Sequence, residues 1–105
     1  MVKMMKNQNE IDEMLSSNIL KWVISYYQVI TCKMIMKAFN EPVTRTAINN
    51  HVNAECNSML RKVAKFKEYM SPECYENTCV SVQDLKSDTQ NIIIKTLANE
   101  RGILI

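Results

Sequence analysis

Residues 63–82 read Val63-Ala-Lys-Phe-Lys-Glu-Tyr-Met70, then Ser71-Pro-Glu-Cys-Tyr-Glu-Asn-Thr78, then Cys79-Val-Ser-Val82, and the repeat inside them decides the fold. In the first eight, Ala64, Phe66 and Met70 alternate with Lys65, Lys67 and Tyr69, the two-residue period of a half-buried strand. Ser71-Pro72-Glu73 opens a polar loop to Thr78, and Cys79 to Val82 is a short alternating return strand. The pair predicts a β-hairpin.

Upstream, the pattern is helical. Ile11, Met14, Leu15, Ile19, Trp22, Val23 and Tyr26 keep the three-and-four spacing of one helix face, widened by Leu20, Ile24 and Tyr27. Asn9 is the expected N-cap, with Asp12 and Glu13 in the first turn, where carboxylates interact well with the helix dipole. Thr31 caps a second, short helix carrying Met34, Ile35, Ala38 and Phe39, and it stops at Asn40-Glu41-Pro42 because proline disfavours helical angles in the residue before it. Thr44 opens a third helix with Ile48, Val52, Cys56, Met59, Leu60 and Val63 inward, and Arg45, Asn49, Asn53, Asn57 and Arg61 on the other side. Three helices followed by a hairpin define a winged helix-turn-helix, a mainly α fold with one two-stranded wing.

A last helix, capped by Ser87 or Asp88, runs through Leu97 and Ala98 with Ile92, Ile93 and Ile94 as its apolar bulk. The expected organisation is a disordered amino-terminal tail at 1–9, a winged-helix domain at 10–86 and a carboxy-terminal helix at 87–105. Ile103, Leu104 and Ile105 are large apolar residues at the end of the sequence, so either they dock on the core or more chain follows them.

Composition narrows the function. The 105 residues are 47% hydrophobic and 23% charged, which suits one folded domain over a disordered chain. Thirteen basic and eleven acidic residues are interleaved, so the net charge of +2 advertises neither nucleic acid nor anionic lipid. No apolar run approaches the roughly 20 residues that span a bilayer, and Met1 to Glu10 is polar with no signal core, so a cytosolic or nuclear protein is expected. Outside a secretory setting the four cysteines are expected to stay reduced; Cys32 and Cys56 read as small core residues. Cys74 and Cys79 lie close together, but the single histidine, His51, is in another segment, so no metal and no cofactor is expected.

Chemistry is equally thinly signalled. A single glycine leaves no phosphate loop or nucleophile elbow. His51 and Cys56, five apart, share a helix face poorly, and a solvated histidine is the simpler reading of His51. The Arg45, Asn49, Asn53, Asn57, Arg61 stripe matches the side chains that read guanine and adenine edges, with Lys65 and Lys67 placed to touch phosphates. The alternative is a solvated or partner-facing polar face, and Glu55 and Glu68 dilute the positive field that DNA attraction requires. A stand-alone winged-helix DNA-binding regulator is therefore the second reading. Met1, Met4, Met5 and Met14 suggest an adaptable binding surface or, more simply, a mobile terminus followed by one core methionine. Trp22, Tyr26 and Tyr27 read as core packing first and partner anchors second.

The run from Asn18 to Phe39, the stretch Ala47-Ile-Asn-Asn-His-Val-Asn to Leu60, the wing strands and Val80-Ser-Val-Gln-Asp-Leu-Lys-Ser-Asp88 together resemble the amino-terminal winged-helix domain of the non-SMC element one family, the RING-bearing subunits of the SMC-five/six complex. The likeness runs from about residue 10 onward and lies in pattern more than in invariant motifs. It implies a nuclear, noncatalytic subunit or fragment serving DNA repair, recombination and chromosome maintenance. Its implied partners are a MAGE-type winged-helix protein and a kleisin subunit. The family's RING ligase has no counterpart here, since four scattered cysteines and one histidine cannot fill two zinc sites. On this reading the partner is met through Trp22 and Tyr26 of the first helix, Tyr69 of the wing, and the apolar Ile103, Leu104 and Ile105.

Overall fold

The computed structural model describes residues 7–101, with side chains described through Asn99. They form α1 (Gln8–Asn40), α2 (Arg45–Val63), a 3-10 helix (Ala64–Tyr69) and α3 (Pro72–Arg101), and there is no β-strand among the described residues. The expected winged helix-turn-helix is thereby corrected to a three-helix bundle. Residues 63–82, expected as strand, loop and strand, are the end of α2, a 3-10 turn and the first part of α3.

Two apolar valines show why the hairpin does not form. In a strand Val80 and Val82 would share a face, whereas on a helix they diverge by about 200°; Val82 is fully buried and Val80 is 49% exposed. Four alternating residues are too short a run to separate the two periods. The longer series Tyr75, Thr78, Val82, Leu85, Thr89, Ile93, Leu97 keeps steps of three and four, and its members at 78, 82, 89, 93 and 97 are buried. Thr78 and Thr89 are tolerated there because each hydroxyl donates to the carbonyl four residues back, Cys74 at 2.8 Å and Leu85 at 2.7 Å. Ser87 and Asp88, expected as caps, lie inside α3.

α1 is likewise one helix where two were expected. Thr31 does not start a new helix; its hydroxyl donates to Tyr27 O within α1 at 2.9 Å. The start lies at Asn7, not Asn9, in a reciprocal capping box: Asn7 Oδ1 accepts from Glu10 N at 2.9 Å and Glu10 Oε1 accepts from Asn7 N at 3.3 Å. The end lies at Asn40, before Glu41-Pro42, as the proline dictates. Thr44 caps α2 through its hydroxyl, which accepts from Ala47 N at 3.0 Å.

Cross-helix contacts fix the directions. Asp12 meets Ser71, Ser16 meets Thr78 and Tyr27 meets the Val82 carbonyl, so α1 and α3 run parallel. Trp22 meets Lys62 and Tyr26 meets Glu55, so α2 runs against α1. The molecule is a rod measuring 60 × 20 × 17 Å. Its core is a column of Ile19, Val23, Tyr27, Ile30 and Met34 from α1, Ile48, Val52, Cys56, Met59 and Val63 from α2, and Val82, Ile93 and Leu97 from α3. Cys32, expected in that core, is exposed on α1. Every buried side-chain nitrogen or oxygen among the described residues has a hydrogen-bond partner, and no helix among them is long and apolar enough to cross a membrane.

The helical assignment of residues 79–82 predicts unequal costs for two equal deletions. Val82→Ala removes fully buried methyl groups and should destabilise by about 1.5–3 kcal/mol in urea unfolding. Val80→Ala should stay within about 0.5 kcal/mol of the parent. Equal losses at the two positions would restore the strand.

Candidate partner-binding groove

Two surfaces concentrate side-chain chemistry. The first is a polar cleft of about 750 Å³ between the starts of α1 and α3, lined by Asp12, Ser16, Ser71, Cys74 and Thr78 among others. The Ser71 hydroxyl donates to Asp12 Oδ2 at 2.6 Å, and Ser71 N donates to Asp12 Oδ1 at 3.0 Å. The same hydroxyl accepts from Cys74 N at 3.2 Å, which caps α3. These bonds to Ser71, helped by Gln8 and opposed by some burial, hold the Asp12 carboxyl below its ordinary 3.8. Burial, with the Asp12 charge next, pushes the Cys74 thiol up, so it stays protonated at neutral pH. The carboxylate and the serine hydroxyl are thus spent on one another, which makes this cleft a clasp between helices. Among the described residues no cluster of three or more His, Cys, Asp or Glu is placed to hold a metal ion.

The second surface is apolar. Leu15, Asn18, Ile19 and Trp22 of α1 face Lys62 and Val63 of α2 and Lys65 and Phe66 of the 3-10 helix across a groove of about 470 Å³. The α1 residues sit at i, i+3, i+4 and i+7, so they form one wall. Trp22 stacks on Tyr26 with centroids 6.0 Å apart and rings 19° from parallel, and the Lys62 ammonium lies 5.8 Å from the Trp22 centroid. Tyr26 is anchored in turn: its hydroxyl donates to Glu55 Oε1 at 2.8 Å, and that bond to an anion, more than burial, raises the phenol's pKa. Glu55 Oε2 is also 3.8 Å from His51 Nε2. Trp22 is 38% exposed and Phe66 40% exposed, so both walls of the groove end in aromatic edges open to water.

The sequence-derived candidates divide between these places. Trp22 and Tyr26 sit together at the groove. Tyr69 is exposed at the end of the 3-10 helix, where its carbonyl accepts from Gln8, and it is not among the groove-lining residues. Ile103, Leu104 and Ile105 lie outside the described residues. Arg45, Asn49, Asn53 and Arg61 of the expected DNA-reading stripe all lie on α2. Gln90 Nε2 donates to the main-chain carbonyl of Asn49 at 3.3 Å and to the side-chain Oδ1 of Asn53 at 3.1 Å, so the Asn53 amide is engaged by α3. Arg45 and Arg61 are exposed, but sixteen positions apart, or about 24 Å along the helix. Lys65 lines the groove, and Lys67 lies 5.5 Å from the Tyr75 centroid.

The sequence reading did not single out Leu15, Ile19, Lys62, Val63 or Phe66 as a site. Their signal is the continuation of Lys62 to Phe66 at a four-residue step, visible only if 63–70 is read as helical. No family model matches the chain, and comparison with curated proteins and with solved structures finds no match.

The clasp carries a pH signature. Because the folded pKa of Asp12 is depressed below its ordinary 3.8, its contribution is complete above that value and is lost as pH falls through the lower, folded one. Melting temperature should therefore drop as the pH goes from about 5 to about 2. Asp12→Asn should lower stability at neutral pH and flatten this acid limb. An acid limb identical to the parent's would show that the clasp does not titrate.

Proposed function

We propose that this chain is a noncatalytic protein-interaction module, a helical rod that presents one face of α1 to a partner protein. The observation that carries the reading is the set Leu15, Trp22, Val29 and Met36. They recur every seven residues on a helix whose core face is already filled by Ile19, Val23, Tyr27, Ile30 and Met34. Seven-residue spacing drifts only about 20° per step, so the four form one strip about 30 Å long. Trp22, Val29 and Met36 are 38%, 46% and 66% exposed. Apolar residues around most of a helix are expected where it is enclosed on more than one side, and in this bundle α1 packs mainly on α3.

The polar cleft supports the noncatalytic half of the reading, because its hydroxyl and carboxylate groups hold one another. Pairing with a MAGE-type winged-helix protein, expected from the family resemblance, depends on a hairpin wing that the described residues do not form. Binding a protein through α1 does not need that wing. DNA reading by α2 is the less favoured alternative, since the Asn53 side chain already accepts from Gln90.

A photoreactive phenylalanine analogue placed at Val29 or Met36 in the full chain should give a discrete polypeptide adduct in cells. The same analogue at Gln83, exposed on α3, should not. The captured protein, once purified, should bind the purified chain saturably, and Val29→Glu or Met36→Asp should weaken it by about tenfold or more. Equal adducts from Gln83, or no saturable binding between purified components, would overturn the reading.

A further inference from the structure

The groove between Trp22 and Phe66 differs from the rest of the exposed strip by its charge. From Arg61 to Lys67 the chain reads Arg-Lys-Val-Ala-Lys-Phe-Lys, four cations without a carboxylate, and all four are exposed. The ion pairs among the described residues, Lys37 with Glu41 and His51 with Glu55, lie elsewhere on the bundle. Lys62 and Lys65 line the groove, while its floor and walls are Leu15, Ile19, Trp22, Val63 and Phe66. An apolar slot rimmed by cations that no carboxylate of the described residues pairs is complementary to a ligand with apolar anchors and negative flanks.

We infer that this groove binds an acidic amphipathic helix of a partner protein, seating its large apolar side chains between Trp22 and Phe66 and setting its carboxylates against Lys62 and Lys65. The inference rests on the interaction-module reading and specifies the partner. A helix fits better than an extended peptide, since there is no sheet edge among the described residues to which a strand could add, and a slot between helices accepts anchors spaced three, four and seven apart. Nucleic acid fits less well. Base stacking needs a free aromatic face, and the Trp22 ring is already engaged by Tyr26 and by the Lys62 ammonium. A second copy presenting the same groove about a two-fold axis would bring like charges together at Lys62 and Lys65. Affinity comes from the buried apolar anchors, and the lysines select against neutral or basic helices and hasten encounter.

The test is selection from a displayed library of peptides about 16 residues long, enough for four helical turns, against the full chain. Enriched sequences should be net negative, with leucine or aromatic residues three or four apart. Their affinity should fall about tenfold in Phe66→Ser and in the Lys62→Glu/Lys65→Glu double variant, and should fall as salt is raised. The double variant should itself select basic peptides. All three substitutions are at exposed positions, and an unchanged helical circular dichroism spectrum confirms the fold. Selection of neutral or basic peptides by the parent, identical selections by the double variant, or single-stranded RNA bound more tightly than any peptide and indifferent to Phe66→Ser would each overturn the inference. If these fail while a purified partner still binds through Val29 and Met36, only the acidic-helix assignment falls. If that binding is also missing, the interaction-module reading falls with it.

Discussion

The hydroxyl of Ser71 donates to the Asp12 carboxylate and accepts from Cys74 N, so one oxygen both starts α3 and ties that start to the first turns of α1. A helix begun there with Pro72 at its first position, where a missing N–H costs nothing, has one direction available to it. It runs beside α1 and carries Thr78, Val82, Thr89, Ile93 and Leu97 into the core in turn. The hydrogen bond joins a neutral donor to an ionised acceptor, the stronger class of such bonds. Its larger effect is on registry. The 3-10 segment must reverse the chain within the six residues Ala64–Tyr69, and in doing so it leaves Lys65 and Phe66 beside Trp22. Groove and clasp are thus two results of the same turn.

Much of the helical framework is legible in residue types alone. Glu41-Pro42 ends α1 and Thr44 begins α2, and the inward face of α2 is the one its spacing requires. What misleads is Ser71-Pro72-Glu73. The same three residues serve as a turn between strands or as cap, first position and acidic first turn of a helix, and only the length of the pattern downstream separates the two. The threonines at 78 and 89 hide that pattern, since a hydroxyl counts as polar by composition yet is buried once bonded within its own helix. On a strand over 63–70 Phe66 would share the inward face with Ala64 and Met70, whereas on the 3-10 helix it is exposed and forms the groove's second wall. The engagement of the Asn53 side chain is hidden for a comparable reason: its partner Gln90 lies 37 residues away in the chain, beyond any local pattern. Trp22 and Tyr26 draw notice by chemistry alone, because aromatic rings with polar handles are as useful at a surface as in a core.

α1 is apolar on more than the face it turns to the core. A helix with a single narrow stripe would be satisfied by two neighbours, whereas α1 fills the core with one face and keeps Trp22, Val29 and Met36 in water. Packing favours α1 against α3 and α2 against α3, which leaves the seam between α1 and α2 open enough to hold a groove. The bond of Tyr26 to Glu55 and the contact of Lys62 with Trp22 bridge that seam by polar means where apolar packing is thin.

One uninterrupted α1 of 33 residues has a mechanical meaning. It is about 50 Å long, with neither proline nor glycine within it, and so lacks the usual hinge points. A tilt applied near Trp22 would then reappear at Asn40 as the motion of a stiff lever and would not be absorbed by a bend between them.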